Sequence, residues 1–163
     1  MRVLISALAL AGLVVSILAL RVHLADPGAA PACAVSEHWD CGIVNHSRFS
    51  VFPPTSFDEA PGSRIPHVPV AALGIAAYGI MFVLAAMGRW WAVLQLAEVV
   101  FAGACFLTYL EDFVIHKWCI YCVWSQGIIT VILVTTIIAL ILRKRAGHRL
   151  HVPAPAAEHV VGG

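Results

Sequence analysis

Four stretches of this chain are apolar over lengths that only a membrane explains. Val3 to Leu20, Val68 to Gly88 and Trp118 to Leu142 hold no charged side chain, and Trp90 to Leu110 holds only Glu98. Crossing the hydrocarbon of a bilayer takes roughly 20 residues, with a range of about 17 to 25, and each stretch qualifies. Lipid offers no partner to a bare N–H or C=O, and these runs are too long for tilted strands, so helices are the economical solution. The pattern predicts an all-α membrane protein. Residues 1–142 form a four-transmembrane-helix bundle whose long outer loop, residues 21–67, follows the first helix.

Composition agrees: 61% of residues are apolar and 12% charged, and the mean hydropathy is +0.89, far from the mix of a soluble domain. Arg2 ahead of the first run, and Ala30-Pro31-Ala32 before Cys33, also suit a cleaved signal peptide. However, 18 apolar residues exceed its usual core of about 7 to 15, and a retained helix is expected. Placing both termini inside puts Arg2, Arg89, Arg143, Lys144, Arg145 and Arg149 on the inner face, against Arg21, Arg48, Arg64 and Lys117 outside. The cluster at the end of the last helix counts most, so both termini are expected in the cytoplasm. A net charge of +1, without a basic patch interleaved with aromatics, gives no sign of nucleic-acid binding.

In the outer loop, prolines surround Cys33 and Cys41. Ile43, Val44 and Phe49 among Asn45, His46, Ser47 and Arg48 suggest a short amphipathic helix over the mouth of the bundle, stopped by Pro53 and Pro54. Residues 143–163 read as a basic cytoplasmic tail, disordered toward its small and polar end.

Chemistry enters with the cysteines. Cys119 and Cys122, in KWCIYCVW, sit at the outer end of the fourth helix, and Cys33 and Cys41 lie in the outer loop. All four share the oxidising side of the membrane, a periplasm or a secretory lumen. Residues three apart at a helix start are neighbours on one face, and the helix N-terminus together with Lys117 favours a thiolate. A bridge closing so short a loop constrains little of the unfolded chain, which makes redox work the better reading than a staple. Cys33 and Cys41 enclose seven residues, a span that closes easily and stays mobile. A flexible outer pair beside a membrane-edge pair is the layout that passes two electrons inward through a mixed disulfide. With no haem or dinucleotide motif in the chain, a quinone dissolved in the bilayer is the acceptor within reach.

This arrangement resembles the vitamin K epoxide reductase family, whose bacterial members serve as disulfide-bond oxidases. The resemblance rests on the C-x7-C of CAVSEHWDC, the following Ser47, Arg48 and Phe49, Gly74 and Tyr78 of LGIAAYG in the second helix, and CIYC itself. It implies a four-helix bundle around a quinone of ubiquinone or menaquinone type in the bacterial inner membrane. A soluble periplasmic or lumenal thioredoxin-like protein would be the partner. Cys33 then meets the partner, Cys41 attacks Cys119, and Cys122 faces the quinone, with Ser47 donating to a quinone oxygen or steadying the loop and Phe49 beside it. Gln126 stands where animal vitamin K reductases carry a tyrosine, and Val70 stands at an asparagine position. Both positions are associated with vitamin K recognition, so the departures weigh against epoxide reduction more than against quinone reduction.

Other residues invite plainer readings. Cys105 is expected to pack within the third helix. Glu98 is either hydrogen-bonded near Gln95 or part of a proton path. Glu111 and Asp112, near the outer surface, could receive or deliver quinone protons, with interface solvation the plainer reading. Trp90, Trp91 and Trp118 suit aromatic belts, and Trp124 is placed to line a quinone pocket. Asn45 to Ser47 is a glycan acceptor motif in a eukaryotic lumen. Five outer histidines, His23, His38, His46, His67 and His116, keep open a metal-binding alternative; a structural bundle with stapled loops is a third.

Overall fold

A computed structural model describes residues 1–28, 31, 33–55 and 66–150. The apolar runs are helical: α1 (Arg2–His23), α3 (Val70–Ala86), α4 (Trp90–Leu110) and α5 (Ile120–Leu150). A five-residue helix, α2 (Cys41–Asn45), lies in the loop, and β1 (Val51–Phe52) pairs antiparallel with β2 (Val68–Pro69) just before α3. Helix α4 runs into a π-helical turn, Glu111–Ile115, which His116 ends in the left-handed region at φ 55°. Three of the helices are long and apolar enough to cross a membrane, and α3 is an apolar helix of 17 residues. The molecule is an all-α membrane protein.

Its core shows the packing expected in lipid, where small residues let helices approach because no hydrophobic effect drives them together. Ala9, Ala85, Ala97 and Ala139 are buried with Ile5, Tyr78, Met81, Ile129 and Ile132, while Val3, Val99 and Trp91 face outward. Helix α1 packs on α3 and α5, and α4 on α5 and α3. Gly74 of α3 sits so close to Ser16 of α1 that a Cβ there would lie 2.8 Å from the Ser16 hydroxyl.

One end of the bundle is basic. Arg2 donates to the Ala86 carbonyl at 2.9 Å, capping α3, and Arg143 lies 5.4 Å from the Trp90 ring centroid. That contact belongs to a helix longer than its apolar run: α5 continues eight residues past Leu142, through the basic cluster to Leu150. The remainder of the expected tail, 151–163, lies outside the described residues. The opposite end carries α2, the loop cysteines and the start of α5.

Candidate functional site

The segments leading into Cys41 and Cys119 are stitched together. Trp39 and Trp118 form a parallel bridge in which the Trp118 N–H donates to the His38 carbonyl at 2.8 Å and the Asp40 N–H to the Trp118 carbonyl at 3.0 Å. The indoles contact each other at 6.1 Å, and Lys117 Nζ donates to the Glu37 carbonyl. Asp40 then caps α2, its Oδ1 accepting from the Gly42 and Ile43 N–H groups at 2.8 and 3.1 Å, which is what an N-cap aspartate does for the free donors of a first turn. Each cysteine therefore follows directly on an anchored backbone.

The sulfurs meet in one place. Cys33 and Cys41 form a disulfide with a Cα separation of 5.8 Å, whereas Cys119 and Cys122 are free thiols. Cys33, Cys41, Val44 and Cys119 are buried as one cluster, with Cys122, Tyr121, Ile115 and Val22 packed against it. The loop spacing alone suggests a mobile outer pair. Here that pair is enclosed, Cys33 being only 5% exposed, because the Trp39–Trp118 bridge lays the loop over the start of α5.

Asn45, expected only as part of a glycan motif, joins the two pairs. Its side chain is buried, and Nδ2 donates to the Cys41 carbonyl at 2.9 Å and to Cys119 Sγ at 3.5 Å, so the amide is inside rather than offered to a glycan. Its own carbonyl accepts from His23 Nδ1 at 2.6 Å. Cys119 is further served by the Cys122 thiol, whose hydrogen bond pulls the Cys119 thiol below its ordinary value. The signal for Asn45 is its spacing of four from Cys41 at a helix start.

Glu111 reads in the sequence as a solvated interface residue and is instead 2% exposed. Oε2 accepts the Cys119 N–H at 3.2 Å, and Oε1 is buried with no hydrogen-bond partner among the described residues. The Cys122 thiol neighbours the same carboxyl, too loosely to complete Oε1. Asp112 beside it is exposed, as expected of the pair. The π-helical turn separates the two, turning one carboxyl in and the other out.

Below the sulfurs lies a cavity of about 410 Å³ among α1, α3, α4 and α5, whose walls include Ser47, Phe49, Tyr78, Glu111, Cys122 and Ser125. Small-molecule sites commonly measure about 300 to 1,000 Å³ and are mostly apolar with a few convergent polar groups. The Ser47 hydroxyl is buried without a partner among the described residues, a donor ready for a ligand oxygen. Cys122 reaches this wall, whereas Cys119 belongs to the sulfur cluster above it.

Other residues singled out in the sequence lie away from this cavity. Trp124 is 64% exposed on the outer side of α5 and forms no part of the cavity wall. Gln126 is also absent from that wall; its Nε2 donates to Cys105 Sγ at 3.4 Å. Cys105, expected in the packing, is exposed. Glu98 is exposed on α4 away from the cavity. Among the described residues no three His, Cys, Asp or Glu side chains gather as a metal site.

The family model described as vitamin K epoxide reductase family matches residues 3–137, which takes in α1 through most of α5 and all four of these cysteines. No curated protein matches the chain.

Proposed function

The chain belongs to the vitamin K epoxide reductase family and is a membrane thiol oxidoreductase, and we propose that it carries electrons from a soluble thioredoxin-like protein to a membrane quinone, driving disulfide-bond formation. On this reading residues 1–142 cross the bilayer four times, residues 143–163 form a basic cytoplasmic tail, and the sulfur end faces the periplasm of a bacterial inner membrane. The basic end formed by Arg2, Arg89 and Arg143 supports that orientation.

The observation that carries the reading is the position of Cys122, which lies in the cavity wall while its partner Cys119 lies in the cluster with the loop disulfide. Electrons entering at Cys33 reach Cys41, pass to Cys119 by thiol–disulfide exchange, and leave from Cys122. The partner's thiolate attacks Cys33 and frees Cys41; the partner's second thiol then displaces Cys33, leaving the partner oxidised and Cys33 a thiol, while Cys41 attacks Cys119 of the inner disulfide and frees Cys122. Closure of Cys33 on Cys41 then leaves Cys119 and Cys122 reduced, the state seen in this structure. A bound quinone would supply the sink for two electrons and two protons. Ser47 would hold one of its oxygens, and Phe49 would bound the ring. Gln126 and Val70 favour this over epoxide reduction, since neither supplies the side chain that the resemblance associates with vitamin K.

The test is purified protein mixed with a reduced thioredoxin-like protein and either a ubiquinone or a menaquinone analogue. The expected result is quinol formation matched by partner oxidation and abolished by serine at any of Cys33, Cys41, Cys119 or Cys122. Partner oxidation that proceeds without quinone, or quinone reduction that survives loss of Cys122, would overturn it.

A further inference from the structure

Glu111 has no part in the relay just described, yet it is among the most enclosed side chains of the protein. An ionisable group within a membrane-spanning segment is expensive to keep and by default suspected of function. Its hydrogen bonding is half complete: Oε2 is anchored by the Cys119 N–H, and Oε1 is buried without a partner. The carboxyl neighbours the Cys122 thiol and forms part of the cavity wall. One side chain thus holds the backbone of one inner cysteine and shares with the other the wall of the space where the electrons leave.

We propose that Glu111 is the proton carrier of the inner pair, taking the Cys122 thiol proton on Oε1 and releasing it into the cavity as the Cys119–Cys122 disulfide closes. The role rests on the thiol-to-quinone reading above. Starting from Cys119 as thiolate and Cys122 as thiol, one S–H bond breaks, one S–S bond forms, and the electron pair goes to the quinone. Two protons must accompany that pair. One is the Cys122 proton carried by Glu111, and the other comes from the outer water, which received the proton of Cys119. The anchor on Oε2 holds the carboxyl in place while Oε1 makes the exchange.

Of the other titratable groups lining the cavity, Tyr121 of α5 offers a phenol hydroxyl rather than a carboxylate, and Tyr78 and His23 are committed elsewhere. Tyr78 of α3 donates its hydroxyl to the Ser125 carbonyl at 3.0 Å and contacts the Ser125 hydroxyl at 2.9 Å. His23 of α1 donates Nδ1–H to the Asn45 carbonyl. Cys119 receives the Asn45 amide. Cys119, which also receives the Cys122 thiol, becomes the other half of the disulfide, so among the described residues Glu111 is the carboxyl of the cavity wall placed to carry that proton away.

Glu111→Gln keeps the size of the side chain and an oxygen for the Cys119 N–H while removing the exchangeable proton; Glu111→Asp restores an acid on a shorter arm. Full-length protein, reduced in advance, is mixed with a short-chain ubiquinone analogue in a stopped-flow instrument over a range of pH. Infrared difference spectra are recorded separately between the dithiol and disulfide states, poised with a thiol redox buffer and no quinone. Glutamine should slow quinol formation about 10²- to 10⁴-fold, the usual contribution of a positioned acid–base group, flatten the pH profile, and abolish a carboxyl band that changes with thiol oxidation; aspartate should restore part of each. A glutamine variant with the native rate and pH profile would overturn the proposal, as would native spectra in which no carboxyl responds to thiol oxidation. The spectra decide alone if the variant does not fold. Native protein that reduces no quinone removes the underlying reading and this role with it, an outcome distinct from a native protein that works and a glutamine variant that works equally well.

Discussion

Asn45 donates its side-chain amide to Cys119 Sγ at 3.5 Å while holding the Cys41 carbonyl at 2.9 Å. One buried residue thus ties the backbone of Cys41 to the sulfur of Cys119, the two cysteines between which the proposed relay runs. A donor aimed at sulfur also favours the thiolate over the thiol, in the same direction as the Cys122 hydrogen bond that lowers the Cys119 thiol.

Removing that donor should raise the Cys119 value again. Asn45→Ala is expected to move the pH profile of Cys119 alkylation upward, so that at a fixed pH below the midpoint the variant reacts more slowly. Hydrogen bonds to charged groups are worth about 1.5 to 3 kcal/mol, so transfer from the loop pair should slow about 10- to 100-fold. Iodoacetamide labelling of Cys119, followed by mass spectrometry across pH, checks the first effect. An unchanged profile would mean that the amide serves only the Cys41 carbonyl.

The burial of Cys41 with Cys119 leads to a trapping prediction. Cys122→Ser removes the inner thiol that resolves a bond between them, so a Cys41–Cys119 cross-link should accumulate and appear in non-reducing peptide maps. Because Cys33 can still attack Cys41, Cys33→Ser in the same chain should increase the trapped fraction. Finding Cys33 rather than Cys41 joined to Cys119 would reverse the order of the relay.

Ser47 separates binding from folding. Its hydroxyl is buried without a partner, so Ser47→Ala removes no existing bond and the melting temperature should hold or rise slightly. If the hydroxyl receives a quinone oxygen, KM for quinone should rise about 2- to 10-fold, the range for a net contribution of about 0.5 to 1.5 kcal/mol, with kcat little changed. Steady-state kinetics with a ubiquinone analogue, beside thermal unfolding in the same detergent, gives both numbers.

The helices are legible in the sequence because length and apolarity alone decide what can live in lipid, and the cysteines because their two spacings lie on one side of any four-helix threading. What the sequence hides depends on angles and tertiary contacts. A helix turns about 100° per residue, so Trp124, two residues past Cys122, points away from the cavity while Ser125 returns to it; depth in the membrane says nothing about this. Helix α5 outruns its apolar stretch, with Arg143 against the Trp90 ring and Arg and Lys both good helix formers. Nothing in the local sequence tells Glu111 from Asp112; the π-helical turn and the Cys119 N–H do.

Gly74, part of the family resemblance, has a mechanical role that can be isolated. A Cβ at this position would lie 2.8 Å from the Ser16 hydroxyl and 3.3 Å from Ser16 Cβ, and both residues line the cavity. Ser16 is buried and α1 packs on α3 there, so even with the hydroxyl rotated away its Cβ stays close and the two helices must part by a few tenths of an ångström. Overpacking of this kind costs about 1 to 3 kcal/mol, and Gly74→Ala should lower both the unfolding temperature and quinone reduction. At Gly79 on the same helix a Cβ would meet nothing within 4 Å, and Gly79→Ala should be neutral or stabilising, since alanine is the better helix former. Adding Ser16→Gly to Gly74→Ala removes the atoms in conflict and should recover most of the loss, a coupling that a double-mutant cycle of unfolding temperatures would measure. Additive effects of the two substitutions would mean that helix spacing at this point does not govern the cavity.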